Sequence, residues 1–147
     1  MAAKISTGLR NHMLATGSLK AALDGGVIYI YSGTPPATAD AALSGNTLLC
    51  TISNNAAGTG ITMSSTPNAG VLGKASAETW RGQIVANGTA TFFRFATLVD
   101  DGTLSTTATR LQGTVGTVGA DLNFSTIAFV SGDYKNVDTF NVALPTI

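Results

Sequence analysis

The sequence predicts a mostly β fold, a single antiparallel β-sandwich of jelly-roll-like type with a short N-terminal α-helical segment. Two observations carry this. From Val27 onward, short β-branched and aromatic runs alternate with clusters of Gly, Pro, Asn, Asp and Ser, the pattern of short strands joined by turns. Before that point, apolar residues fall instead at helical spacing. The 147 residues fit one domain, with 1–25 as the helical segment and 26–147 as the sandwich.

In the first segment, Ile5, Leu9 and Met13 lie at i, i+4 and i+8, and Ser6 or Thr7 can cap the start. Gly17 stops this run. Ser18 caps a second one, Leu19 to Leu23, which Asp24-Gly25-Gly26 ends. One helix or two short ones follow from that pattern. Val27 to Tyr31 then reads as a strand stopped by Ser32-Gly33-Thr34-Pro35-Pro36, and residues 33–46 as a long loop with a helical turn at Ala39 to Leu43. Thr47 to Ser53 is a strand, Ile61 to Ser64 a short edge strand, and Val71 to Ala75 a weaker candidate.

Two alternating runs, Thr79 to Ala86 and Thr89 to Phe95, flank Asn87-Gly88, the residue pair that a type I′ hairpin turn favours. That register sets Trp80 opposite Phe95, Gly82 opposite Phe93 and Arg81 opposite Arg94. Trp80, Ile84, Phe93 and Phe95 then share a core face, with Phe93 over the bare backbone of Gly82. Asp100-Asp101-Gly102 turns the chain, and Ala108 to Val115, Leu122 to Val130 and Val137 to Leu144 complete the strands.

Composition narrows the function classes. Eight Lys+Arg balance eight Asp+Glu, and charged residues make up 11% of the chain, less than half the usual ~25%. Such a chain has little with which to gather phosphates, so nucleic acid and anionic membrane are not expected partners. No apolar run approaches the ~18 residues of a membrane span, and the first residues carry no secretory pattern. A neutral exterior suits packing inside an assembly better than life as a soluble monomer.

Catalysis is not expected, and neither a metal nor a cofactor is called for. GxSxG, HExxH and CxxC are absent. His12 has no second ligand at metal spacing, and Cys50 lies in an apolar run as a small hydrophobe. Asp100-Asp101-Gly102 lacks the alternating ligands of a calcium loop, and Gly113, Gly116 and Gly119 do not match a phosphate loop. Glu78 would need an Asp near it in space for paired-carboxylate chemistry. Tyr29 and Tyr31 share a strand face, either as cover for another layer or, with Trp80, as a sugar-stacking platform. Arg81 and Arg94 are either neutralised or splayed within the chain, or they meet carboxylates of another subunit beside Phe92.

The stretch Ile5-Ser6-Thr7-Gly8-Leu9-Arg10-Asn11-His12-Met13-Leu14, with Gly17-Ser18-Leu19-Lys20 and Ile30 to Asp40, resembles small virion-associated proteins of tailed bacteriophages. Leu49 to Ser53 and Asn87 to Phe95 are similar too. The resemblance implies a structural protein of the virion, assembled in the bacterial host cytoplasm, with other virion proteins as partners and a homo-oligomeric state. Capsid decoration or cement is the leading role. A tail, neck or collar component is the alternative, and a carbohydrate-binding host-adhesion module a further one. The contact residues expected on this reading are Leu9, Met13, Pro35, Pro36, Arg81, Phe92 and Arg94.

Overall fold

A computed structural model describes residues 3–144. The N-terminal segment forms two short helices, α1 (Thr7–Asn11) and α2 (Leu19–Leu23), joined by one wider turn of π type at His12–Thr16. Both expected caps form: the Ser6 Oγ accepts from the Leu9 N–H, and the Ser18 Oγ from the Ala21 N–H. Ser6 also joins helix to sheet, because its hydroxyl donates to the Ala108 carbonyl and accepts from the Arg110 N–H. Gly8 makes that docking possible. A Cβ there would stand 2.3 Å from the Thr107 carbonyl oxygen.

The strands are β1 (Lys4–Ile5), β2 (Val27–Ser32), β3 (Thr47–Asn54), β4 (Val71–Gly73), β5 (Trp80–Gln83) and β6 (Gly88–Thr89). They continue with β7 (Phe92–Ala96), β8 (Leu111–Gly116), β9 (Leu122–Asn123), β10 (Ala128–Phe129), β11 (Tyr134–Val137) and β12 (Asn141–Ala143). Eight of them form one sheet in the order β1-β8-β7-β2-β3-β5-β11, antiparallel except that β9 runs parallel to β8. Pairs β6–β10 and β4–β12 stand apart from it. The fold is thus mostly β, with a large antiparallel sheet and two short helices.

The predicted Asn87-Gly88 hairpin does not form. Strands β5 and β7 are separated in the sheet by β2 and β3, and neither Asn87 nor Gly88 has positive φ. The reason is competition for partners. The β2–β3 pair is longer and more apolar than either flanking run, and it takes β7 against β2 and β5 against β3. A local hairpin would have satisfied one edge of each run; the observed order gives β5, β7, β2 and β3 neighbours on both sides. Consequently Arg81 faces Ser53 and Asn136, Arg94 faces Tyr29 and Gln112, and the predicted Arg–Arg pair is absent.

Smaller expectations shift as well. No helical turn forms at 39–43, residues 61–64 make isolated bridges, and 122–130 and 137–144 break into shorter pieces. The expected core face nevertheless holds. Trp80, Ile84, Phe93 and Phe95 are buried together with Ile28, Ile30, Ile52 and Leu111. The Trp80 and Phe95 rings meet edge-on at 6.0 Å, although their strands stand three inter-strand spacings apart, roughly 14 Å on a flat sheet. The sheet curls to bring them together, and Phe140 packs against Trp80, Phe93 and Phe95 from the far side of the core.

Candidate functional site

The second face of the sheet holds the chain's most costly groups. Register puts Tyr29, Tyr31, Phe92, Arg94 and Gln112 there, and residues 33–46 and 97–110 cross over them. Arg94 and Arg110 are each 1% exposed. Arg94 donates from Nε to the Gln112 Oε1 at 2.9 Å and from Nη2 to the Ala41 carbonyl at 2.7 Å. Arg110 makes a two-toothed pair with Asp100 at 2.6 and 2.7 Å and donates to the Thr103 and Ala39 carbonyls. The Gln112 amide holds the Pro36 carbonyl at 2.8 Å. Two guanidinium groups therefore pin two irregular segments onto the sheet. Burial, and next the neighbouring Arg110 charge, lower the Arg94 pKa.

This covering corrects two contact expectations. Phe92 is fully buried and stacks on Tyr31 at 5.1 Å, and Arg94 lies beneath the strap rather than at the surface. Their strand reads as half-exposed by alternation, and only segments more than 50 residues away in sequence close over it. Leu9 is also buried, in the core under α1. Met13 is half-buried against that core, Pro35 is exposed and Pro36 half-buried. Arg81 is half-buried, with its guanidinium 4.1 Å above the Tyr134 ring.

The proposed sugar platform is likewise enclosed. Trp80 is 1% exposed and donates its ring N–H to Glu78, Tyr31 is buried, and the Tyr29 hydroxyl is half-covered beside the Thr97 and Leu98 carbonyls. Burial pushes the Tyr31 pKa up to about 12. The Glu78 carboxylate accepts from the Thr62 N–H and hydroxyl as well as from Trp80. Burial alone would raise its pKa, but these bonds leave it lowered. Glu78 serves as a tether for the 61–64 segment. Cys50 lies in the core, and burial pushes its thiol up to about 12. Among the described residues, no three His, Cys, Asp or Glu side chains come together as a metal site. No helix among the described residues is long and apolar enough to cross a membrane.

Part of what remains at the surface is apolar. Two adjoining cavities of about 460 and 370 Å³ lie between the N-terminal segment and the β4–β12 ribbon, and Leu19, Val142 and Leu144 line both. Ile5 and Met13 extend one, and Pro67 and Leu72 the other. Leu144 is 59% exposed at this groove, and Leu14 on the neighbouring π turn is 84% exposed. Val99, Leu104 and Val118 are open elsewhere. The sequence flagged Met13 here through its helical spacing. It missed Leu19 and Leu144, which read only as the start of a short helix and the end of a strand. No protein-family model, curated protein or solved structure matches this chain.

Proposed function

We propose that this chain is a structural subunit of a virion, most plainly a capsid decoration or cement protein, acting through protein–protein contact. The observation that carries the reading is the continuous apolar groove between α2 and β12, open on a chain of zero net charge. A groove of this kind is stabilised by a neighbouring subunit of the same particle, because covering apolar surface is favourable and no charge has to be stripped of water. The spending of Arg94, Arg110, Asp100, Asp40 and Glu78 on internal bonds supports the same reading, since it leaves few charges for chemistry at the surface. The finer architecture belongs to this proposal: a jelly-roll-like sandwich whose curled sheet encloses the Trp80–Phe95–Phe140 cluster.

Leu144→Asp tests the reading. Burying one leucine contributes about 1.5–3 kcal/mol, so losing it weakens association by roughly ten- to a hundred-fold. Incorporation into particles, quantified by mass spectrometry of purified virions, falls accordingly while thermal unfolding of the isolated chain is unchanged. Unaltered incorporation refutes the groove as the contact. Virions that lack the chain altogether refute the function. Copy number separates the two roles: a count matching the shell lattice supports decoration, and one ring of copies a neck, tail or collar component.

A further inference from the structure

We propose that a second, polar groove binds a neutral saccharide. It measures about 570 Å³ and lies where the two edges of the curled sheet approach, between the 121–125 segment beside β9 and the chain from β11 to Asn141. That size is within the range of small-molecule sites. This inference does not depend on the apolar groove, which lies against α2 and β12 and shares no lining residue with it.

The groove is lined largely by polar side chains that face solvent. Within the groove the Asn123 side chain is tied to the Ala120 main chain, and Asp121 accepts from Thr114. In the groove, the side chains of Ser125, Asn136, Asp138, Thr139 and Asn141 hydrogen-bond to no described residue. Each amide carries both donors and an acceptor, each hydroxyl one donor and two lone pairs, and the carboxylate acceptors only. A ligand that matches such a mixture must itself offer donors and acceptors close together. Ring hydroxyls of a sugar do so.

Charge and apolar contact narrow the class further. Asp121 and Asp138 outnumber Lys135, the one ammonium in the lining, and Lys135 is drawn over the Phe129 ring at 4.9 Å with a bond to the Thr126 carbonyl. A phosphate or sulfate would meet net repulsion. A purely apolar ligand would leave the amides unpaired. Phe124 and Phe140 are buried and only floor the groove, while Tyr134, 48% exposed, presents a ring beside Asn136. The exposed Tyr134 ring suits the C–H face of a sugar ring. The site is also held in shape. β11 keeps a four-residue register with β5, and the Arg81 guanidinium stacks on Tyr134. A rigid site loses less entropy on binding.

The test uses the whole chain in solution. Backbone amide shifts are followed by NMR while glucose, galactose, mannose, rhamnose, N-acetylglucosamine and N-acetylgalactosamine are added singly. The expected result is saturable shifts at Tyr134, Asn136 and Asn141 with at least one sugar, and binding at least ten-fold weaker in Asn136→Ala and Asp138→Ala. Neither side chain hydrogen-bonds to a described residue and both are exposed, so both variants keep the wild-type unfolding midpoint. Absence of saturation with every sugar overturns the proposal, as does equal binding by wild type and both variants. A change in sedimentation mass on either substitution, without sugar binding, marks the groove as a subunit contact and overturns it too. Leu144→Asp leaves the sugar response intact, which keeps failure here distinct from failure of the assembly reading.

Discussion

Replacing Asp100 by Asn should be the most damaging single change of charge in this protein. The side chain keeps its shape but loses its charge, and Arg110 is left without the carboxylate that grips it at 2.6 and 2.7 Å. The Asp100 side chain is 5% exposed and that of Arg110 1%, so water cannot take over. Arg94 raises the stakes. It lies under the same strap, its carbonyl and amide partners carry no charge, and its Nη1 is buried without a partner among the described residues. Breaking a buried pair from one side costs about 3–5 kcal/mol, a large part of the ~5–15 kcal/mol total stability of a domain. At roughly 2–4 °C per kcal/mol for a chain of this size, the melting temperature should fall by about 6–20 °C. Urea unfolding is the assay, with a lower midpoint and an unchanged slope as the expected pattern. The double variant Asp100→Leu with Arg110→Met should regain part of the loss, because apolar replacement of both partners removes the stranded charge but leaves the Ala39 and Thr103 carbonyls and the Gly102 N–H without these partners. A loss within ~0.5 kcal/mol for Asp100→Asn would refute the reasoning, since that is the scale of an exposed pair.

Two further outcomes follow from the same geometry. The Asp40 pKa is lowered, first by its bond from the Thr7 hydroxyl, and that of Glu78 is lowered by its three bonds despite burial. Depressed carboxylate pKa values give stability that is present above the unfolded-state pKa, near 4, and lost as pH falls through the folded-state value. Asp40→Asn and Glu78→Gln should therefore flatten the acid limb of the stability–pH curve; an acid limb identical to wild type in both would show that these bonds contribute nothing. Gly82→Ala should lower the unfolding free energy read from urea denaturation by about 1–3 kcal/mol or more, the scale of overpacked cores, because its Cβ would stand 2.2 Å from the Thr51 carbonyl oxygen. A neutral result would mean that β3 and β5 do not approach as described.

Much of the local structure was legible in the residues. Ser6 and Ser18 cap the helices where their spacing places them, and β2 and β3 match their apolar runs to within a residue. The glycine argument was half right. A bare backbone does face Phe93, but it belongs to Gly113, where a Cβ would stand 2.6 Å from the ring, while Gly82 makes room for β3. Candidate contact residues fared less evenly. Met13, Pro35, Pro36 and Arg81 reach the surface wholly or in part, whereas Leu9, Phe92 and Arg94 are enclosed. Asn136 and Asp138 gave no sequence signal, because a polar residue near a strand end looks the same whether it faces bulk water or a groove.

By itself the sequence determined the β-rich character, the capped helical start and the identity of the main core face. Each depends on contacts among residues a few positions apart or on simple alternation. Tertiary structure alone decided which strand pairs with which, because Asn87-Gly88 favours a hairpin by tenths of a kcal/mol while the β2–β3 pair offers both runs a larger buried interface. It also decided that two arginines lie indoors. That outcome requires carbonyls at Thr38, Ala39, Ala41 and Thr103 to arrive from distant segments, and no local pattern encodes their arrival.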